Sequence, residues 1–212
     1  MAQRVRVQNF GVSRDGIGAG EDQTLEKPFG HVDPMQLMGW GFATASFPGG
    51  NGTGTRGLED YLTRDFAHGI GAEIMGRHKF GPQRGPWTDD GWIGWWGEEP
   101  PFHTPVVVLT HHEREPLAVG ETTFHFVDAS PAVALGVAKD LAGGLDVRIG
   151  GGVSTVRQFL DADLIDELHV SIAPVEYGEG LRLWDSPEDL AGRFSLERVM
   201  APSGVEHCFF WR

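Results

Sequence analysis

Three points along the chain could converge on an anion. Gly150-Gly151-Gly152-Val153-Ser154-Thr155 follows the β-prone run Asp146-Val147-Arg148-Ile149 and opens a segment with helical spacing. At such a turn unpaired backbone N–H groups and the helix dipole point the same way, and glycine lets a ligand approach the main chain. The run lacks the Gly-Lys-Ser/Thr ending of a nucleoside-triphosphate loop, which disfavours γ-phosphate chemistry with Mg²⁺. Its alternative reading is a tight turn whose glycines serve packing alone. Met75-Gly76-Arg77-His78 and Leu109-Thr110-His111-His112 are two further strand ends. Arg77 carries a planar donor fork suited to phosphate, and a hydroxyl with imidazoles could complete the pocket. Ligands of open α/β sheets gather outside the carboxyl ends of strands, so the three ends read together as a cofactor site.

The elements that must position these residues follow from periodicity and punctuation. Val5, Val7 and Val12 lie in a first strand that breaks at Ser13-Arg14-Asp15-Gly16. Residues 21–57 form a long insertion with one short helix near Pro34 to Phe42. Tyr61, Leu62, Phe66 and Ile70 recur at helical spacing before the buried strand Ala72-Glu73-Ile74-Met75. A second insertion, near 79–104, is rich in tryptophan. It precedes the apolar strand Pro105 to Thr110, and Thr122 to Val127 is another β-prone run. Ser130 as N-cap, Pro131 at the first helical position and Gly143-Gly144 as a stop bound a helix over Ala132 to Ala142. A strand alternating from Leu168 and a C-terminal pair, Phe194 to Val199 and Glu206 to Trp211, complete the pattern. Strands interleaved with helices predict a three-layer α/β fold with a mixed, mainly parallel sheet and antiparallel C-terminal strands.

Composition narrows the function classes. The chain has 212 residues, which fits one domain spanning residues 1–212, and 7 Trp with 13 Phe suffice for a core. A net charge of −13 would repel a phosphate backbone, so no nucleic-acid partner is expected. The N-terminal residues lack the apolar core of a leader, and no stretch approaches the roughly 20 apolar residues that span a bilayer. The expectation is a cytoplasmic protein with no membrane partner. The lone Cys208, beside Phe209, Phe210 and Trp211, reads as buried. Gly52-Thr53-Gly54-Thr55-Arg56-Gly57 matches a dinucleotide fingerprint, yet no hydrophobic strand precedes it. His111, His112, Glu113, His103 and His125 offer no preformed tetrahedral set, so no metal is expected. No Gly-x-Ser-x-Gly elbow suggests serine hydrolysis.

Gly76-Arg77, the strand ending Val107-Val108-Leu109-Thr110, the block Val147 to Thr155, and Leu164-Ile165-Asp166-Glu167-Leu168 followed by Ala173-Pro174 and Gly178-Glu179-Gly180 form an ordered set, with Asp15-Gly16 fitting too. In this set the chain resembles the dihydrofolate-reductase-like reductases related to the C-terminal domain of the riboflavin-biosynthesis protein RibD. The resemblance implies a dihydrofolate-reductase-like fold, NADPH as hydride donor, a small oxidised cyclic or heteroaromatic substrate and a homodimer.

By position it implies that Gly76 and Arg77 bind the phosphate and adenosine part. Thr110 and His111 would lie by the adenine ribose and its 2′-phosphate, with no acidic residue placed to grip a 2′-OH. Gly150, Gly151, Gly152, Val153, Ser154 and Thr155 would hold the pyrophosphate, and the Asp15 to Ala19 loop, with Gly18 and Ala19, would border the nicotinamide. Three departures stand out. Lys79 replaces a usual Thr, which weakens one phosphate contact, while Arg14 and Glu176-Tyr177 replace apolar residues. Hydride delivery also needs a proton donor, for which Asp15 is the first ionisable candidate and Glu176 the second. Asp15 is equally explained as an Asp-Gly turn former. Trp40, Phe42, Trp87 and Trp95 could wall a planar substrate or serve as core or lid aromatics. The alternative from another class is a non-catalytic cofactor- or ligand-binding protein on the same fold.

Overall fold

The computed structural model describes residues 2–47, 50–88 and 91–212. Met1, Pro48 and Gly49 of the first glycine-rich run, and Asp89 and Asp90 of the tryptophan-rich insertion, lie outside the described residues. In chain order the elements begin with β1 (Val5–Ser13), β2 (Ile17–Ala19), α1 (Pro34–Phe42), α2 (Leu58–Arg64), β3 (Ile70–Gly76) and α3 (Arg77–Phe80). They continue with β4 (Pro105–Leu109), β5 (Arg114–Val119), β6 (Thr122–Val127), α4 (Pro131–Leu141), β7 (Asp146–Gly151) and α5 (Val153–Asp161). The last are β8 (Glu167–Ala173), β9 (Leu181–Arg182), β10 (Ser195–Met200) and β11 (Glu206–Trp211).

The chain forms two compact units, 1–6 with 69–165 and 7–68 with 166–212. Strand β1 begins in the first and continues in the second. In the first unit the strand order is β1-β7-β3-β4-β6-β5. All neighbours there are parallel except β5, which runs antiparallel to β6. Parallel strands covered by helices read as continuous apolar runs, and Val106, Val107 and Val108 are indeed inaccessible to solvent. Helix α4 starts where the Ser130 hydroxyl accepts from Val133 N–H and Pro131 occupies the first turn, and it packs on β3, β4 and β7. One core joins Met75, Phe80, Phe102, Val106, Val108, Phe124 and Phe126, and Trp87, Trp92, Ile93 and Trp96 of the insertion pack against it. Each such side chain contributes about 1.5–3 kcal/mol on burial, so the tryptophan-rich insertion is part of the unit's stability.

In the second unit the order is β10-β11-β8-β1, with β10/β11 and β11/β8 antiparallel, as expected for the C-terminal strands. A short antiparallel pair, β2/β9, lies apart from this ladder. Helix α1, capped by Asp33 accepting from Met35 N–H at 2.8 Å, packs on β8. Two expectations need correction here. The alternation in β8 predicts one polar face, yet His169 and Ser171 are buried along with Val170 and Ile172. The sequence expectation is a homodimer paired through Val170, Ile172 and the cluster Phe209-Phe210-Trp211, but Val170, Ile172 and Phe210 are buried within one chain, while Phe209 is half-buried and Trp211 exposed. On this ladder it is Val199, Met200 and Trp211 that remain exposed.

The alternation and punctuation rules do not single out β2, α3, β5 and β9. Runs of two to four residues carry no readable period. Strand β5, Arg114-Glu115-Pro116-Leu117-Ala118-Val119, has the proline and charges of an edge strand and pairs only with β6.

Candidate functional site

In the first unit β7, β3 and β4 are successive parallel neighbours, so the three strand ends read from the sequence come side by side. Gly76 ends β3 and meets Leu109 of β4 across the ladder, while Met75 faces Gly151 of β7. The contact between β3 and α5 is close. A Cβ on Gly76 would fall 2.4 Å from the Thr155 hydroxyl oxygen, so only glycine fits without displacement. Gly151 has φ of +107°, and Gly152 is the N-cap of α5 without any side-chain cap. The space where a Gly152 side chain would stand is open. The N-cap thus supplies no side-chain acceptor to the first N–H groups of α5, while Val153 and Thr155 are buried and Ser154 is exposed.

Arg77 opens α3 and lies with its guanidinium carbon 3.9 Å from the centre of the Trp87 ring, the geometry of a cation–π contact. Its Nε and Nη2 are buried and have no hydrogen-bond partner among the described residues. Burial, and then the charge of Arg84, disfavours this cation. A buried donor left without an acceptor costs about 1–3 kcal/mol, more when charged, so the arrangement suits an arriving anion. Beside it the His78 Nε2 meets Arg84 Nη1 at 2.5 Å. Burial and the charges of Arg84 and Arg77 lower the His78 pKa, which keeps its ring neutral and able to accept.

The insertion holds this end in place through its indoles. Trp87 Nε1 donates to the His112 carbonyl, Trp92 Nε1 to Phe80 O at 3.1 Å and Trp95 Nε1 to His78 O at 3.3 Å. Trp87 and Trp95 are therefore tied to the strand ends themselves, and Trp87 is the platform under Arg77. At the end of β4, Thr110 is buried and its hydroxyl serves the turn, accepting from His112 N–H at 3.1 Å. His111 is exposed, and its Nδ1 lies 3.2 Å from Asp128 at the end of β6. Asp128, just past β6, is thus an acidic residue next to this strand end, and His111 engages it.

The remaining sequence candidates belong to the second unit. Asp15 accepts from Ser13 Oγ at 2.6 Å, Gly178 N–H at 2.8 Å and Tyr177 N–H at 3.3 Å, and its own carbonyl accepts from Arg182. Burial pushes its carboxyl pKa up, but these donors outweigh it and hold the pKa below the ordinary value. A carboxylate so held ties the β1 turn to the 177–178 segment; this geometry suits the turn former and not the proton donor. Gly18 and Ala19 lie in or at the end of β2, and Gly18 is buried. Glu176 is exposed, Phe42 packs edge-on against Phe47, and Trp40 meets the His207 and His169 rings edge-on. Trp40 is a core residue here. The fingerprint-like run Gly52 to Gly57 follows α1, not a strand, and leads into the short α2, so it lacks the strand-turn-helix context of a dinucleotide turn.

Beneath the glycine turn lies a cluster that motif reading passed over. Glu73 and Arg148 face each other across β3 and β7, with Arg148 Nη2 donating to Glu73 Oε2 at 2.6 Å, and both are 1% exposed. Lys79 of α3 reaches in, its Nζ 2.5 Å from the Gly150 carbonyl and 3.6 Å from Glu73 Oε1. A signal was available. Glu73 is flanked by apolar residues on both sides in β3, and Arg148 by Val147 and Ile149 in β7, and buried charges require partners.

Parallel strand ends, a glycine turn opening a helix and an arginine with two buried, unsatisfied donors thus come together in one α/β unit. The chain belongs to the RibD C-terminal domain family, whose model matches residues 9–203. No curated protein sequence matches it. Among solved structures it resembles a Shewanella sp. PV-4 protein named for riboflavin biosynthesis, with 20% identity over 100% of this chain and 99% of that one and a TM-score of 0.58. A pyrimidine reductase-like protein of Corynebacterium diphtheriae aligns at 14% identity over 99% of this chain and 91% of its own, TM-score 0.54. A Thermotoga maritima protein is named diaminohydroxyphosphoribosylaminopyrimidine deaminase/5-amino-6-(5-phosphoribosylamino)uracil reductase. It aligns at 13% identity with a TM-score of 0.56, and 99% of this chain spans 56% of its length. At these identities the likeness establishes the fold: a dihydrofolate-reductase-like α/β fold with a large, mostly parallel sheet and antiparallel strands.

Proposed function

We propose that the chain is an NADPH-dependent reductase acting on a small oxidised heteroaromatic substrate of the pyrimidine class. The observation that carries this reading is Arg77, stacked on Trp87 with two guanidinium nitrogens buried and without acceptors, at the same strand ends as the uncapped glycine turn. Family membership and the pyrimidine reductases named among the structural relatives support the reaction and substrate class. Arg77 would hold phosphate as a fork, and the N–H groups at the start of α5 would hold the pyrophosphate. When bound, the cofactor supplies a hydride. The chain orients it: Trp87 fixes the plane of the Arg77 guanidinium, and Gly76 keeps β3 against Thr155 so that turn and arginine share one edge. Preference for NADPH over NADH rests on Arg77, since Asp128 is engaged by His111.

Fluorescence titration of NADPH and NADH tests the reading. NADPH should bind more tightly, and Arg77→Ala should weaken it by about tenfold or more, the worth of one charge-assisted hydrogen bond. Equal affinities for the two cofactors, or an unchanged Arg77→Ala variant, would remove the argument. NADPH bound stoichiometrically without oxidation against a panel of pyrimidines, pterins and quinones would assign the chain to the non-catalytic, cofactor-binding class instead.

A further inference from the structure

The short helix α3 presents two cations in opposite directions. Arg77 is held over Trp87 with free donors, whereas Lys79, two residues on, turns under the glycine run. The Lys79 ammonium donates to the carbonyl of Gly150 and lies 3.6 Å from Glu73, which is itself paired to Arg148 of β7. The fit is tight, because a Cβ on Gly150 would come 2.1 Å from Glu73 Oε1 and 2.8 Å from Lys79 Nζ. The first carbonyl of the turn therefore rests directly on this charged cluster. Burial lowers the Lys79 pKa, and Glu73, opposed by the Arg148 charge, offsets this only in part. A charged donor to a main-chain carbonyl in a desolvated place is stronger than a neutral one.

We propose that Lys79 is a positioning residue that locks the Gly150–Gly152 turn to the helix carrying Arg77, so that the two anion-binding elements of the first unit are preset as one. The function of this lock rests on the dinucleotide reading above. Lys79 touches no ligand in this scheme; it acts through the Gly150 carbonyl on one side and through α3 on the other. The replacement of the usual Thr by Lys79, which from sequence alone weakens a phosphate contact, thereby becomes a gain in preorganisation. Binding then requires less ordering of the turn.

The test compares Lys79→Met, which keeps the aliphatic stem, and Lys79→Arg, which keeps charge and donors, with the unaltered chain. Two measurements are made: NADPH titration and amide hydrogen exchange of the ligand-free protein. Lys79→Met should weaken NADPH by about tenfold and speed exchange at residues 150–153, while Lys79→Arg should recover most of both. In a double-mutant cycle, Lys79→Met should cost much less once Arg77 is Ala, because the lock then has nothing to align. Full additivity of the two changes would overturn the proposal, as would unaltered exchange at the turn. Should the unaltered chain fail to bind NADPH, the reductase reading falls, and the lock itself is still decided by the exchange data: protection lost in Lys79→Met and regained in Lys79→Arg supports it, and protection unchanged refutes it.

Discussion

Arg77 and Cys208 are opposite answers to the question of what a buried polar group is for. Arg77 keeps buried donors without acceptors, a stability cost that the proposed phosphate contact would offset. Cys208 lies on β11 with no exposed surface, and burial, followed by the Glu206 charge, pushes its thiol pKa up to about 12. The thiolate is the nucleophile, so this cysteine is inert while the chain is folded. A thiol reagent at neutral pH should label it only after denaturant is added; rapid stoichiometric labelling of the native protein would contradict the burial. Asp15 shows a third use. Its carboxylate is occupied by Ser13, Gly178 and Tyr177, and Asp15→Asn, which keeps the size but weakens those acceptor bonds, should destabilise the turn. A loss of about 1–2 kcal/mol in urea unfolding is expected, and no loss would return Asp15 to candidacy as a proton donor.

At the scale of elements, the pairing of β3 with β7 carries a fully buried ion pair, Glu73 with Arg148. Removing one partner of a buried ion pair leaves the other without compensation and costs about 3–5 kcal/mol. Glu73→Leu should therefore lower the unfolding free energy by about that amount, read from the midpoint of urea denaturation. A change under about 1 kcal/mol would mean that water reaches Arg148. The glycine turn allows a separate prediction. Gly151 has φ of +107°, a region that L side chains rarely adopt. Gly151→Val should remain folded by circular dichroism yet lose cofactor binding, and a folded variant that binds NADPH normally would reduce the turn to a packing device.

For the molecule as a whole, pH and assembly are the accessible variables. His169 and His207 lie buried in the second unit, with His169 Nε2 and His207 Nδ1 3.0 Å apart, and Asn9 holds the other side of His169 at 2.9 Å. Burial, and then the His207 charge, lowers the His169 pKa from 6.5 to about 3. The unfolded chain binds this proton near pH 6.5 and the folded chain only near pH 3, so in that window the unfolded state holds more protons. Stability is complete above pH 6.5 and falls as pH drops toward 3, by at most roughly 1.4 kcal/mol per pH unit from this group. Unfolding midpoints between pH 6.5 and about 5, before most carboxylates titrate, should show this slope, and His169→Gln should flatten it. A homodimer is our proposal for the assembly. With Val170 and Ile172 buried, the surface we propose for the contact is that of β10 and the end of β11, where Val199, Met200 and Trp211 are exposed. Sedimentation equilibrium at micromolar concentration decides it, a single 23.1 kDa species being the result that refutes the dimer.

Local chemistry was enough to read the alternation of strands and helices, the helix over Pro34 to Phe42, the Ser130 cap, the antiparallel C-terminal pair and the strand ends that carry the candidate site. Those features depend on residues near one another in the chain, on caps, glycines and periodicity. Tertiary structure alone decided what the polar and aromatic side chains do. Trp87 and Trp95, open between substrate wall and core on sequence, are bound to the carbonyls of His112 and His78, and Trp40 packs on two buried histidines. Lys79, a departure from a motif on paper, lies under Gly150, 71 residues away in the chain, and Glu73 meets Arg148 across 75. Such contacts are set by strand order and register, which bring together residues whose spacing in sequence carries no period, and the energy of a buried charge depends on the partner it finds there.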